Sequence, residues 1–571
     1  MKRLFLVLAT TGLLFAACSK DAVEPKDDGG GVATNPTGDA WISLDISNVN
    51  SGFSRGLNTP DEQNGTNDES KVTNVRAIFF DTSLQVTTDI LLTDAQAGTP
   101  GQGSGTPGKA FKIPVKSKYI LIVANAPASF TEKGEGTSFA AVNTALEDVV
   151  ANVTVAEKFM MSNAKGYLEP SYVATDPEVI ATTKKVGDLK ELTLYTSASA
   201  AEGKPLTLNI DRVVAKVRVF ITAASDAGNV NMANGGWVLN ITNKKFFPVS
   251  ERLLTWNENP ANIGARGTCI TPFDQYKIGS YRKDPNYDLS NVGIYNEADL
   301  TAFKANYNYY TNDDDPEASD WLNSGASTYC HENTQDADYN KHAYTTQVLL
   351  KANFAPKVFK NGKGETDVTN SSATISWMKI YSGFYTFETL KNWIRDEYNS
   401  KYASTVPDHD AINAPLVKAV NAYLTAKTSV VERLPLPDNA DFTATYGDDV
   451  AQVLQAMDDV YAAIQTGITT AGANAYYAAD DTHVFSYYDG GVNYYKIMIR
   501  HDDTDAAANK LGEFGVVRNS VYDVNVTKFN NPGYPIIVDP KPEEVDEDDE
   551  SWLAIQIDVN PWTWYSQSIE L

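Results

Sequence analysis

Along most of the chain apolar residues alternate singly with polar ones, a period of two that fits strands with one covered face. At 41–47 the sequence reads Trp-Ile-Ser-Leu-Asp-Ile-Ser, placing Ile42, Leu44 and Ile46 on one face. At the other end Leu553, Ile555, Ile557 and Val559 alternate with Ala554, Gln556 and Asp558, so four aliphatic side chains again share a face. Pro561 follows; having no N–H to give, it is expected to interrupt the ladder, with a second extended run from Trp562 onward. The same alternation predicts strands at 75–80, 85–92, 111–115, 118–123, 206–221, 237–241, 346–354 and 517–527, with shorter candidates at 159–161 and 192–195. Residues 484–499 read as a hairpin turning at Asp489-Gly490-Gly491. Apolar spacings of three and four predict helices at 138–150, 387–398, 414–425 and 448–464. Many short strands with a few inserted helices predict a mainly β fold of two β-sandwich domains.

The connections divide this pattern. Residues 226–235 read as a linker between domains at 56–225 and 236–538. Within the second domain, 257–342 is rich in Asn, Asp and Tyr and has weak periodicity, as expected of an elaborate loop. Residues 539–550, DPKPEEVDEDDE, bury no apolar area and form a solvated linker to the 551–571 segment. A sticky strand on such a leash either enters another sheet or closes its own. The loop at 48–70 is dense in Gly, Ser, Asn and Asp and carries Arg55 as a lone basic residue before Lys71.

At 571 residues the chain is too long for a single domain. Its formal charge of -26 disfavours nucleic acid and anionic membrane surfaces as partners. Lys2 and Arg3 precede an apolar run at 4–17, too short to span a bilayer and suited to a signal peptide over 1–18. The run ends Ala16-Ala17-Cys18, which resembles a bacterial lipobox and makes Cys18 the expected lipidation site. Cys269 and Cys330 remain; in an oxidising envelope they can form a disulfide or stand as two buried thiols.

Candidate chemistry is sparse. The five His include no H-E-x-x-H, and no paired CxxC, Walker loop or G-x-S-x-G is present. Cys330-His331 has no second pair at zinc spacing, and Asn312 to Asp315 lacks the Gly and closing Glu of a calcium loop. No catalytic residue, metal or cofactor is expected. Tyr307, Tyr309 and Tyr310, Tyr476-Tyr477 and Tyr494-Tyr495 read as sheet or interface residues or as sugar-stacking platforms.

Taken in order, these segments resemble the Bacteroidales fimbrillins, structural subunits of type V pili, and above all the short-fimbria (Mfa-type) major subunit. The likeness is carried by the Cys18 lipobox, the strand and Arg loop at 42–55, KYILIVANAP at 118–127 and FMMS at 159–162. It continues through DRVVAKVRV at 211–219, LLKANFAPK at 349–357, VVRNSVYDVNV at 516–526 and VNPWTWYSQSIEL from 559. The resemblance implies transthyretin-like sandwiches and an exchangeable C-terminal donor strand. It implies a lipid-anchored outer-membrane precursor cut between Arg55 and Gly56 by an Arg-specific surface protease. Residues 19–55 would then leave as a tether and removable first strand, with Ile42, Leu44 and Ile46 displaced. Leu553, Ile555, Ile557, Val559, Trp562 and Trp564 of another copy would fill the groove. Expected partners are the chain itself, head to tail, anchor and tip subunits, and host or bacterial surface receptors; adhesion and biofilm formation follow. The competing reading is a surface lipoprotein that binds glycans and does not polymerise.

Overall fold

The computed structural model describes residues 31–32, 37–48, 63–100, 106–164, 190–249, 251–252, 282–287, 300–311, 314–361, 366–380, 382–386, 389, 485–501, 512–540 and 553–563. The fold is mainly β.

The first sandwich gathers the N-terminal strands. In chain order this part has β1 (Asp39–Ile42), β2 (Leu44–Asn48), β3 (Gln63–Asn64), which joins the second sandwich, helix α1 (Asn67–Ser70), β4 (Val75–Phe80), β5 (Val86–Leu91), helix α2 (Asp94–Ala97), β6 (Phe111–Pro114), β7 (Tyr119–Ala124), β8 (Met161–Ala164), β9 (Lys190–Glu191) and β10 (Leu206–Arg212). One sheet has the order β2-β10-β8-β7-β4-β5, with β9 also on β7. The antiparallel pair β1–β6 lies over it, and Phe111 of β6 meets Phe79 of β4 edge-on at 6.2 Å. Ile78, Phe80, Ile120 and Ile122 are fully buried in this core, as near-continuous apolar strands require.

The second sandwich uses β11 (Val214–Ile221), β12 (Gly228–Asn240), β13 (Ser327–His331), β14 (Gln347–Pro356), β15 (Val492–Met498), β16 (Ser520–Phe529) and β17 (Leu553–Thr563). One sheet has the order β13-β11-β16-β17-β3 and the other the order β12-β14-β15. Val217, Val219, Tyr522 and Val524 from the first share a core with Trp237, Val348, Leu350 and Ile497 from the second. A smaller sheet joins Trp377–Ile380 to Gly383–Tyr385 and Phe485–Tyr488, and Trp377 stacks on Tyr488 at 3.9 Å.

Four expectations need correction. The 206–221 stretch is not the end of one domain: sheet membership changes at Val213, and β11 pairs in parallel with β16, 300 residues away in sequence. The expected linker at 226–235 lies largely in β12, which pairs along β14. The 138–150 helix is a single turn, Phe139–Val142, capped by Ser138; Thr144 then donates to the carbonyls of Ala140 and Ala141, and Leu146 pairs with Phe246. The 484–499 hairpin is absent because the chain changes sheet at Asp489–Gly491. Gly491 makes that switch, with φ +69° and the Ala373 carbonyl 2.1 Å from where a Cβ would stand. Apart from Thr389, the helices expected at 387–398, 414–425 and 448–464 lie outside the described residues.

Candidate assembly site

The apolar face of the first strand is fully enclosed. Ala40, Ile42, Leu44 and Ile46 are 0–1% exposed. The alternation read from sequence holds, but the chain crosses between sheets at Ser43, whose Oγ donates to the Gly108 carbonyl at 2.7 Å. β1 runs antiparallel to β6, and Trp41 exchanges both backbone bonds with Tyr195 at 2.8 and 2.9 Å. β2 runs parallel to β10, with Leu206 N–H donating to the Ser43 carbonyl at 2.8 Å. Burying Ile42, Leu44 and Ile46 contributes roughly 5–9 kcal/mol before entropy. Removing this strand would leave the edges of β6 and β10 unpaired and open a groove to the core.

The terminal strand sits differently. β17 pairs antiparallel with β16 of the same chain, so in the single chain it closes its own sheet. It runs through Pro561 to Thr563 without the expected break, since an edge position leaves a missing N–H without consequence. Leu553 is buried, Ile555 and Ile557 are only partly covered against the second core, and Gln556 is exposed. Val559 and Trp562 hold register positions opposite Tyr522 and Gln63. Among the described residues only β3 lies on the outer edge of β17, pairing at Trp562 and Thr563.

β3 leads into a buried polar junction that sequence reading missed. Thr66 and Glu69 form a capping box around α1, a signal visible in the T-x-x-E spacing. Glu69 Oε1 also accepts from Lys216 Nζ at 2.6 Å and from the Tyr329 hydroxyl at 2.7 Å. Burial raises its carboxyl, but the bonds from Lys216, Tyr329 and Thr66 outweigh this and hold it below the usual range. Arg212, fully buried, donates to the Glu69 carbonyl at 2.8 Å, Ser70 Oγ at 2.9 Å and Asn519 Oδ1 at 3.2 Å. Burial pushes the guanidinium down to about 10 against the pull of Glu69 and Asp211. One cation thereby ties the segment after the Arg55 loop to both sandwiches.

Cys18, Arg55, Gly56, Cys269 and Trp564 lie outside the described residues. Cys330 is a free thiol buried in the second core, pushed up to about 12 by burial. Tyr307 is core, Tyr309 and Tyr310 are half-buried at a surface pocket, and Tyr495 is buried in β15. Tyr476 and Tyr477 lie outside the described residues.

Residues 57–209 match the family described as major fimbrial subunit protein (FimA). Residues 486–568 match the family described as major fimbrial subunit protein type IV, fimbrillin, C-terminal. No curated protein matches the chain. Among solved structures, a fimbrilin (FimA) from Porphyromonas gingivalis W83 is similar at 11% identity and a TM-score of 0.37, over 92% of this chain and 99% of that one. A putative cell adhesion protein from Parabacteroides distasonis ATCC 8503 is similar at 11% identity and a TM-score of 0.35, over 92% and 100%. The tip fimbrial protein Mfa3 from Porphyromonas gingivalis is similar at 9% identity and a TM-score of 0.28, over 92% and 100%.

Proposed function

We propose that this chain, a member of the fimbrillin family of major fimbrial subunit proteins, is a stalk subunit that grows a cell-surface fibre by strand exchange. It is a structural protein and not an enzyme. The observation that carries the strand-exchange reading is an asymmetry between two strands of the same pattern. The first, with Ile42, Leu44 and Ile46, is sealed in a core directly before the loop that holds Arg55. The last, with Ile555 and Ile557, covers its apolar face only in part, and among the described residues its outer side is paired only at Trp562 and Thr563.

Before cleavage the first strand fills its groove with the advantage of an intramolecular partner. A cut between Arg55 and Gly56 removes that advantage and leaves residues 19–55 held by non-covalent contacts alone. Once they depart, the edges of β6 and β10 and the apolar groove are open. Leu553, Ile555, Ile557 and Val559 of a second copy restore both ladder and core, with Trp562 and Trp564 extending the contact. The contact is heterologous and does not close, so it propagates a filament. The β3–β17 pairing fits this order of events: the cut loop runs straight into Gln63–Asn64, which clasp the terminal strand in cis.

In this reading Cys18 carries the lipid of an outer-membrane precursor, an Arg-specific surface protease triggers assembly, and anchor and tip subunits complete a fibre that supports adhesion and biofilm formation. N-terminal sequencing of surface-purified fibres tests it: the expected read is Gly56-Leu57-Asn58, and Arg55→Ala accumulates uncut monomer. A mature start at Cys18 or Ser19 contradicts it.

A further inference from the structure

We infer that the pocket beside Tyr309 and Tyr310 binds a neutral hexopyranose or N-acetylhexosamine unit of a glycan. The pocket has a volume of about 560 Å³, within the roughly 300–1,000 Å³ of small-ligand sites. Val238 and Leu322 contribute its apolar wall, and Tyr309, Tyr310, Asp314 and Asp320 its mixed one. This is the composition a sugar ring needs. The C–H groups of a pyranose carry partial positive charge and pack on the negative face of an aromatic ring, while its hydroxyls seek carboxylate and amide partners.

The groups are held in place before any ligand arrives. Tyr310 N–H donates to Asn240 Oδ1 at 2.8 Å, and Asp314 N–H donates to Thr311 Oγ1 at 3.1 Å. Phe303 meets Tyr309 edge-on at 5.0 Å, and Lys304 lies 5.7 Å over the Tyr309 ring. Tyr310 packs beside Val238 and Leu349 and stays half-exposed, and among the described residues no ring or cation stacks on it. Burial raises both phenols, followed by Asp539 for Tyr309 and by Asp320 for Tyr310, with Asp314 a smaller contribution to each that places its carboxylate within electrostatic reach of the two rings. The Tyr309 hydroxyl is buried without a hydrogen-bond partner, an unmet donor in the wall.

Charge selects the class of sugar. Lys244 Nζ donates to the Lys304 carbonyl at 2.6 Å and Lys304 lies over the Tyr309 ring, while Asp314 and Asp320 also line the cavity. Two carboxylates and two ammonium groups leave the lining with no net charge, and the -26 of the chain as a whole disfavours an anionic sugar. None of the lining residues belongs to β1, β2, β6, β10, β16 or β17. A fibre therefore keeps one open pocket per subunit, and weak single sites add by avidity.

The test uses the uncleaved full-length chain as a monomer, so its outcome is independent of assembly. Saturation-transfer NMR is run with oligosaccharides ending in mannose, galactose or N-acetylglucosamine, with a sialylated counterpart, and with two polymer arms, mucin O-glycans and a neutral bacterial cell-wall polysaccharide. The expected result is transfer to ring protons of at least one neutral sugar, weakened about tenfold by Tyr310→Ala and by Asp314→Asn but retained in Tyr310→Phe. Binding in either polymer arm that depends on Tyr310 supports the site and names the source. No transfer to any neutral sugar, binding confined to the sialylated probe, or binding indifferent to Tyr310→Ala overturns it. Asp314 is exposed, so Asp314→Asn leaves the fold intact and keeps the comparison valid if Tyr310→Ala melts early.

Discussion

A protonated His331 would have nowhere to place its second N–H. Nε2–H donates to the Asp148 carbonyl at 2.9 Å, the ring stacks on Phe246 at 4.6 Å, and Nδ1 is buried without a partner. Burial, with Arg518 nearby, takes the imidazole down to about 4 despite the Asp148 bond. The unfolded chain therefore binds a proton between about pH 6.5 and 4 that the folded chain refuses, and stability falls as pH falls through that window. The loss is on the order of 3 kcal/mol. Denaturant titrations between about pH 7 and 4.5 should show this slope in the parent and a flatter one in His331→Gln, which keeps the bond to Asp148. Equal slopes would assign the acid sensitivity elsewhere. The sequence presented Cys330-His331 as the nearest thing to a metal pair. Strand neighbours point to opposite faces, so Cys330 enters the second core while His331 reaches across to the first sandwich. Adjacency in sequence hid that separation.

At the scale of elements, strand pattern was legible wherever one face or both met a core. The 75–80 reading matches β4 to the residue, and 111–115 and 118–123 match β6 and β7 to within one. The misses share a cause, which is pairing with distant partners. Leu146 has the spacing of a helix, yet its backbone is claimed by Phe246. The parallel contact of β11 with β16 has no local signal at all. The first strand and the terminal strand were both visible as strands, whereas the clasp of β3 on β17 and the Arg212 junction were not. The facing rule for β17 gives a direct prediction. Ile557→Asp places a carboxylate on the face that packs against the core, at a cost of several kcal/mol, whereas Gln556→Asp alters the exposed face and costs far less. Electron microscopy of surface-displayed fibres should find few with Ile557→Asp and near-normal numbers with Gln556→Asp. Equal loss from both would argue against a strand inserted by one face.

For the whole molecule, a buried polar junction ties the two sandwiches together. Arg212, Glu69 and Asn519 join them, and in the proposed exchange the acceptor groove of β6 and β10 would lie in one while the donor strand would lie on the other. On the strand-exchange reading such a subunit would pass a defined direction along a fibre, since donor and acceptor would be different surfaces. The account turns on whether the terminal strand leaves its own β16 and enters a neighbour. A photocrosslinking amino acid at position 557, activated in purified fibres and mapped by mass spectrometry, answers this directly. The strand-exchange account predicts dimer-mass products joining position 557 to residues of β6 or β10 on another copy. Crosslinks confined to Val524 and its neighbours on the same chain, the partners seen in the single chain, would contradict it.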